Sequence, residues 1–407
     1  MRKEIQDGVC LDSDRAFGSE FSGTNLVRAG DHNQRVTLHA IRVNGPVTRT
    51  DLAAMTGLTS AAIANITKRL RKDGLILEAG QLRGARGQPA TKLVINAGSC
   101  FSVGLNVDRD HITLVVLDFV GKVRARFSRE IAFAKPDTVR TFFQRSVRKL
   151  LATTGISQDR LVGVGVAFPD DIARAHLPDQ PRDYAAWAFV KVDELIRDVL
   201  GVPVFVENDA AAAAIGEMQF GSGQQYRSFF YLLITAALGG GLVANGSYFR
   251  GANGRSGEIG WLHAQNAAGE DTELQNIVSL SALYQRLADG GFHVASPRGL
   301  ARLEPEARAI VDRWIRESTA ALVNSFVAIN CLINPEAILI GGRLPATLVD
   351  QLAAAVNESM GRFAAQLPAI APVARAATAD DAPAVGAAIL PFSDRFLPTR
   401  FALLKTT

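Results

Sequence analysis

The chain has 407 residues, with 44 Lys and Arg against 40 Asp and Glu and 48% hydrophobic residues. That length allows about two or three domains that each bury a core, and the absence of any run of about eighteen apolar residues argues against a transmembrane helix. Three scattered cysteines, Cys10, Cys100 and Cys331, form no CxxC pair, which points to a reducing, cytoplasmic setting and away from a cysteine-rich zinc site.

The net charge of +4 is unevenly placed: residues 28–95 hold eleven Lys and Arg against four Asp and Glu, a local +7, so the remainder sums to −3. A basic module beside a nearly neutral body predicts a nucleic-acid partner for one domain only. Residues 1–23 mix charges without an apolar core and are expected to be a disordered tail, neither signal peptide nor anchor. A first helix is predicted over 32–43, capped by Asp31, with Val36, His39, Ala40 and Val43 on its buried face and Gly45-Pro46 after it. Thr48 and Asp51 form a variant capping box, and Leu52, Ala53 and Met55 give the helix that follows an apolar side. Gly57 breaks it. Thr59 then caps a helix on which Ile63, Ile66 and Leu70 recur at three- and four-residue steps, leaving Ser60, Ala61, Asn65, Lys68 and Arg69 outside.

Two short helices around a tight turn, the second ending in cations, have the order of a helix-turn-helix. Its second helix enters the major groove of double-stranded DNA, where small and amide side chains meet base edges and cations meet phosphates. Residues 74–82 and 90–96 alternate like two strands flanking the tip 83–89, which is a wing. Arg83, Arg86 and Gln88 of that tip are candidate DNA contacts, because an Arg beside Gly and Pro can enter a narrow A/T-rich minor groove. The DNA-binding domain is accordingly placed at 24–96.

After Ala97-Gly98, read as a hinge, a second domain opens with strands over 101–107, 111–119 and 122–133, a helix over 138–154 and a buried strand over 161–167. A similar strand–turn–strand opening recurs at 229–235 and 239–244, with 246–250 as the next connection. Two related α/β halves with a cleft between them follow from this repeat. Residues 307–333 make a long amphipathic helix with Ile310, Trp314, Leu322, Phe326 and Ile329 inward. A short strand, 337–340, leads into Gly341-Gly342, and 383–390 is an Ala-rich closing helix.

His32-Asn33-Gln34-Arg35, Glu207-Asn208-Asp209-Ala210, the run from Gly251 to Gly260, Asn334-Pro335-Glu336 and Gly341-Gly342 together resemble the ROK family. That family groups sugar-responsive repressors, among them the N-acetylglucosamine and xylose repressors, with sugar kinases. The resemblance implies an α/β fold class: an N-terminal winged helix-turn-helix followed by a two-lobed hexokinase/actin-like (ribonuclease H-like) ROK domain. Lobe 1 is expected over 97–220, with 384–407 packing back on it, and lobe 2 over 221–383. It also implies a sugar or sugar-like ligand at Asn208, Asp209 and Glu258, with Gln275 at a further sugar-contacting position and Trp261 offering a stacking face. In the family's kinases Asp209 stands where the base that deprotonates a sugar hydroxyl stands. Glu207-Asn208-Asp209 also suits a simpler reading as the cap of the Ala-rich helix over 210–218.

The departures from the kinase pattern separate sensor from enzyme. The family's first phosphate turn, Asp-x-Gly-Gly-Thr, reads Asn106-Val107-Asp108-Arg109-Asp110 here, which loses both glycines and adds carboxylates. The second, Gly-Thr-Gly, reads Thr235-Ala236-Ala237, with Gly239-Gly240-Gly241 remaining. No kinase activity, catalytic residue or cofactor is therefore expected. No metal is expected either, because residues 264–275 contain no cysteine to join His263 in the family's zinc site. The expected function is a DNA-binding transcriptional repressor of carbohydrate uptake or metabolism genes. Such a protein would act as a homodimer or homotetramer on a pseudo-palindromic operator and answer to a sugar-derived effector. A sugar kinase with a DNA-binding module and a ligand-independent DNA-binding scaffold remain as rivals.

Overall fold

The computed structural model describes residues 26–82, 90–170, 172, 181–294, 296–378 and 381–398. Contacts divide the chain into one compact unit of residues 1–99 with 392–407 and a second of residues 100–391.

The first unit begins with α1 (Leu26–Asn44), which starts before the expected position, so Asp31 is an exposed helical residue and not a cap. Its buried face is also a different one. Thr37, Leu38 and Ile41 are buried, whereas Val43 is 52% exposed. The 36/40/43 spacing and the 37/38/41 spacing are both helical, and only the packing partners choose between them. Next come α2 (Arg49–Thr56) and α3 (Ser60–Lys72). The capping box forms as expected, with Thr48 Oγ1 accepting the Asp51 N–H at 3.2 Å and Asp51 Oδ2 accepting the Thr48 N–H at 2.9 Å. Gly57 closes α2 at φ 70°, a left-handed conformation that suits glycine. Leu52 is buried, but Met55 is 53% exposed and lies outside the core. Strands β1 (Ile76–Leu82) and β2 (Ala90–Ile95) pair antiparallel into the wing, and Arg35 of α1 donates to the main-chain oxygens of Asp394 and Leu397.

His39 gives this unit a pH signature. Burial, with the Arg42 guanidinium beside it, lowers its pKa from 6.5 to about 4. The folded state therefore holds His39 neutral while the unfolded chain protonates it near 6.5, so stability is complete above that pH and falls as pH drops from 6.5 towards 4. The ceiling on this loss is about 3 kcal/mol. Urea unfolding of the wild type and of His39→Gln at pH 7.5 and pH 4.5 is expected to show the acid loss shrink in the variant; equal losses would contradict the assignment.

The second unit contains two five-stranded sheets built the same way. The first has β3 (Phe101–Val107), β4 (His111–Asp118), β5 (Val123–Glu130), β6 (Leu161–Ala167) and β7 (Val204–Glu207), with α4 (Pro136–Thr154) and α5 (Val192–Leu200) between the later strands. Then α6 (Asp209–Phe220) leads to β8 (Phe229–Ile234), β9 (Leu238–Ala244) and β10 (Ser247–Tyr248), the last lying where only a connection was expected. A small hairpin of β11 (His263–Gln265) and β12 (Asp271–Glu273) precedes α7 (Gln275–Val278), α8 (Leu280–Asp289) and α9 (Pro305–Ile333). The chain continues through β13 (Ala337–Gly342), α10 (Ala346–Gly361), β14 (Val373–Arg375) and α11 (Ala382–Phe396). The sheet orders are β5-β4-β3-β6-β7 and β10-β9-β8-β13-β14. In each, three antiparallel strands are followed by two parallel ones, so the repeat expected from the sequence is a repeat of topology.

Small residues let helices approach these sheets closely. A side chain on Gly104 would meet the Ala384 main-chain oxygen at 1.9 Å, and one on Gly386 would meet that of Ala212 at 1.7 Å. Thus α11 lies against β3 and crosses α6. The helix α6, which the 97–220 boundary groups with the first sheet, packs on β8 and β9 of the second. On the far side of the second sheet, α9 buries Trp314, Leu322 and Phe326. The Trp314 indole N–H donates to the Ile277 carbonyl at 2.8 Å, which satisfies its one polar group inside that core.

Candidate DNA-binding face and ligand cleft

On α3 the buried stripe is Ile63, Thr67 and Leu70, with Ile66 half-buried at its margin. Ser60, Ala61, Asn65, Lys68 and Arg69 are all exposed. At 3.6 residues per turn, Ala61, Asn65 and Lys68 fall on the side opposite that stripe. Two polar contacts tie the helix to its neighbours: Arg49 Nε donates to Thr67 Oγ1 at 3.0 Å, and Arg71 pairs with Glu78 on β1. The first positions on α3 are small, so a groove floor could approach them, and the cations follow one to two turns later. Arg83, Arg86 and Gln88 lie outside the described residues.

The candidate ligand cleft is in the second unit, where strand ends meet. Asn208, Asp209, Glu258, Trp261 and Gln275 all line one pocket, so residues up to 67 positions apart in sequence converge. Asp209 begins α6 directly after β7. Asn208 is the N-cap of that helix, its Oδ1 accepting from the Ala210 N–H at 2.9 Å and the Ala211 N–H at 3.1 Å. It therefore caps the helix and faces the cleft together. Its Nδ2 donates to Asp170 Oδ2 at 3.3 Å. Glu258 is paired with Arg255 at 2.9 Å, and Gln275 Nε2 donates to Glu273 Oε2 at 2.6 Å. Trp261 is 45% exposed and presents an aromatic face at the rim.

Asp209 is desolvated beside further charges. Burial, reinforced by the nearby Asp108 charge and opposed by Arg109, raises its pKa from 3.8 to about 7. Near neutral pH it exchanges between a form that donates a hydrogen bond and one that only accepts, and either form can pair with a hydroxyl.

Asp170, Tyr248, Arg255 and Ser256 also line the cleft and were not foreseen. One general signal was available for Asp170, which follows the end of β6, because ligands of open α/β sheets gather at the carboxyl ends of strands. Arg255 belongs to the same Gly-rich run as Glu258, but its role as the counter-ion of Glu258 and Asp170 is visible only in three dimensions.

The β3–β4 turn and the glycine run of β9 are both filled by the protein itself. Between β3 and β4, Asp108 Oδ1 accepts the Arg109 N–H at 2.7 Å, and Arg343, after β13, reaches Asp110 Oδ2 at 3.0 Å and also pairs with Glu130. A guanidinium from the second sheet's loops thus occupies the acidic turn of the first. In β9 the three glycines have a packing reason. A Cβ on Gly239 would fall 2.9 Å from that of Ala210, one on Gly240 2.5 Å from the Gly257 oxygen, and one on Gly241 2.6 Å from the Ala214 Cβ. His263 is exposed on the β11–β12 hairpin and hydrogen-bonds Asp271 at 2.7 Å.

The profile of the ROK family matches residues 102–393, and that of a winged helix-turn-helix DNA-binding domain matches residues 31–76. The chain belongs to the ROK family. It is 29% identical to the xylose repressor of Bacillus subtilis over 56% of its length and 60% of that protein's. It is 24% identical to the DNA-binding transcriptional dual regulator NagC of Escherichia coli over 83% of its length and 88% of that protein's. A crystal structure of a ROK family transcriptional regulator, a homologue of the E. coli MLC protein, shares the fold with TM-score 0.64 and 23% identity over 90% of this chain and 96% of that one. These three relatives are named as a repressor or as regulators of transcription. Among the described residues, no helix is long and apolar enough to cross a membrane.

Proposed function

We propose that this ROK protein is a cytoplasmic transcriptional repressor of carbohydrate uptake or metabolism genes. Its operator affinity is set by a sugar or sugar-like effector in the cleft. The observation that carries this reading is the pairing of a capped, outward-facing α3 with a cleft that gathers Asn208, Asp209, Glu258, Trp261 and Gln275. Carboxylates and amides facing a shared space match the alternating donors and acceptors of vicinal hydroxyls, which an apolar wall would leave unpaired. The named relatives regulate transcription, and the xylose repressor's name ties it to a sugar.

The repressor acts as a homodimer or homotetramer on a pseudo-palindromic operator, so that two winged helices meet two half-sites. The effector works through differential affinity for the DNA-bound and released states. Tenfold release corresponds to about 1.4 kcal/mol of coupling. This reading leaves out phosphoryl transfer, because the β3–β4 turn lacks the glycines that let backbone N–H groups approach phosphates.

The deciding experiment measures binding to the gene's own upstream region at fixed salt, across a panel of monosaccharides, polyols and their phosphates. A compound that changes affinity supports the sensor; specific binding indifferent to the whole panel and to Glu258→Ala favours the scaffold reading. Lys68→Ala is expected to weaken all DNA sites alike and to reduce the slope of log affinity against log salt by about 1, as the loss of one phosphate contact requires. An unchanged slope removes Lys68 from the interface.

One observation favours a second reading. A carboxylate raised to about 7 is tuned like a general base, as a sugar kinase with a DNA-binding module would need. ATP turnover on any panel sugar, abolished by Asp209→Asn, would establish it, and no turnover removes it.

A further inference from the structure

The turn between β3 and β4 holds more unspent ligand capacity than its ion pairs use. Asp108 is 1% exposed, and its Oδ2 has no hydrogen-bond partner among the described residues. A buried carboxylate oxygen left unpaired costs the desolvation of a charge without return. That oxygen points towards His111 Nδ1, 3.8 Å away, and the same nitrogen is 2.9 Å from Asp110 Oδ1. The other oxygen of each carboxylate is already engaged, Asp108 Oδ1 by the Arg109 N–H and Asp110 Oδ2 by Arg343. Asp108 therefore keeps its second oxygen unpaired, while the second oxygen of Asp110 is hydrogen-bonded to His111 Nδ1, so both face the same imidazole nitrogen.

We propose that this turn is a divalent-cation site, ligated by Asp108 Oδ2, Asp110 Oδ1 and His111 Nδ1. The three residues can offer one ligand atom each with all three atoms within 4.8 Å of one another. A first-row ion with bonds of about 2.1 Å draws such a set together by small side-chain rotations. The outer shell is in place as well. His111 Nε2 lies 3.1 Å from the Asn106 side-chain amide, whose Oδ1 has no partner among the described residues. Turned so that this oxygen accepts the Nε2 proton, Asn106 fixes the tautomer that leaves Nδ1 free to ligate. Two carboxylates with one imidazole suit zinc or manganese better than magnesium, which prefers an all-oxygen shell. Arg109 and Arg343 also face the turn and oppose a cation, but the atoms they engage are not the ligating ones. The Asp110 side chain is 28% exposed and gives the ion a way in.

The site shares no residue with the His263–Asp271 pair. A cation at the turn would cross-link the start of β4 to the end of β3. The test uses the full chain stripped with chelator and titrated by calorimetry with zinc and, separately, manganese, with metal content measured after desalting. One equivalent of zinc or of manganese per chain is expected, with a rise in melting temperature. Asp108→Asn and His111→Gln should each remove that equivalent or weaken it at least tenfold, while His263→Ala keeps it. If Asp108→Asn does not fold, Asp110→Asn, at the partly exposed ligand, takes its place. Failure of the wild type to retain either ion, or the same equivalent at the same affinity in the turn variants, overturns the proposal.

Discussion

Asp209→Asn is expected to make the protein more stable and less responsive at once. At pH 8 the wild type must hold ionised a carboxyl whose pKa is about 7 in the fold and 3.8 outside it. The sign follows from proton counting. Between pH 4 and 7 the folded state binds the proton that the unfolded chain has already released, so stability falls as pH rises through that window and stays low above it. The ceiling on this penalty is about 4 kcal/mol. Asparagine carries no charge and can still accept the Ala210 N–H that Asp209 Oδ1 accepts at 2.9 Å. Urea unfolding should therefore show the variant gaining a few kcal/mol at pH 8 and little at pH 4. The effector response of operator binding should weaken by about tenfold to a hundredfold, the range of a lost hydrogen bond involving a charged group. A variant equally stable at both pH values would place Asp209 outside the low-dielectric site described. An unchanged effector response would place the ligand elsewhere. A gain in stability bought with function is the usual signature of a residue kept for binding.

Gly386→Val is expected to be the most damaging single change in the body. A Cβ there would lie 1.7 Å from the Ala212 oxygen and 2.4 Å from its carbonyl carbon, and both are helix backbone that no rotamer change can move. Either α11 separates from α6 or the crossing distorts, at a cost of at least about 3 kcal/mol. Gly361→Ala is the matched control, because nothing lies within 4 Å of its position at the end of α10; it should change stability by less than about 1 kcal/mol. Equal effects in urea unfolding would contradict the tight α6–α11 crossing.

What the sequence determined by itself is local or repetitive. The capping box at Thr48 and Asp51, the left-handed stop at Gly57, the cap at Thr59 and the strand periods of β3, β6 and β8 each depend on a few neighbouring residues, and they stand where the sequence places them. The order of motifs sufficed for the family and for the winged helix. The buried face of α1 was not legible, because two overlapping apolar stripes have equal helical spacing and the choice rests on which one α2 and α3 cover. Helices α5, α8 and α10 went unforeseen, and so did β10, which is too short to show a period.

At the cleft, the sequence supplied the residue types and tertiary structure supplied their company. Asn208 and Asp209 could be read as caps or as contacts, and the fold places Asn208, the N-cap of α6, at the pocket wall. Asp170 and Arg255 join them only because strand ends far apart in the chain converge there. The same reason governs the charges. A sequence shows that Asp108, Arg109, Asp110 and Arg343 exist, but Coulomb energies depend on distance and on the surrounding dielectric, and both are set by the packing of two sheets. Which carboxylate is raised, which is paired and which keeps an unspent oxygen were therefore decisions of the tertiary structure alone.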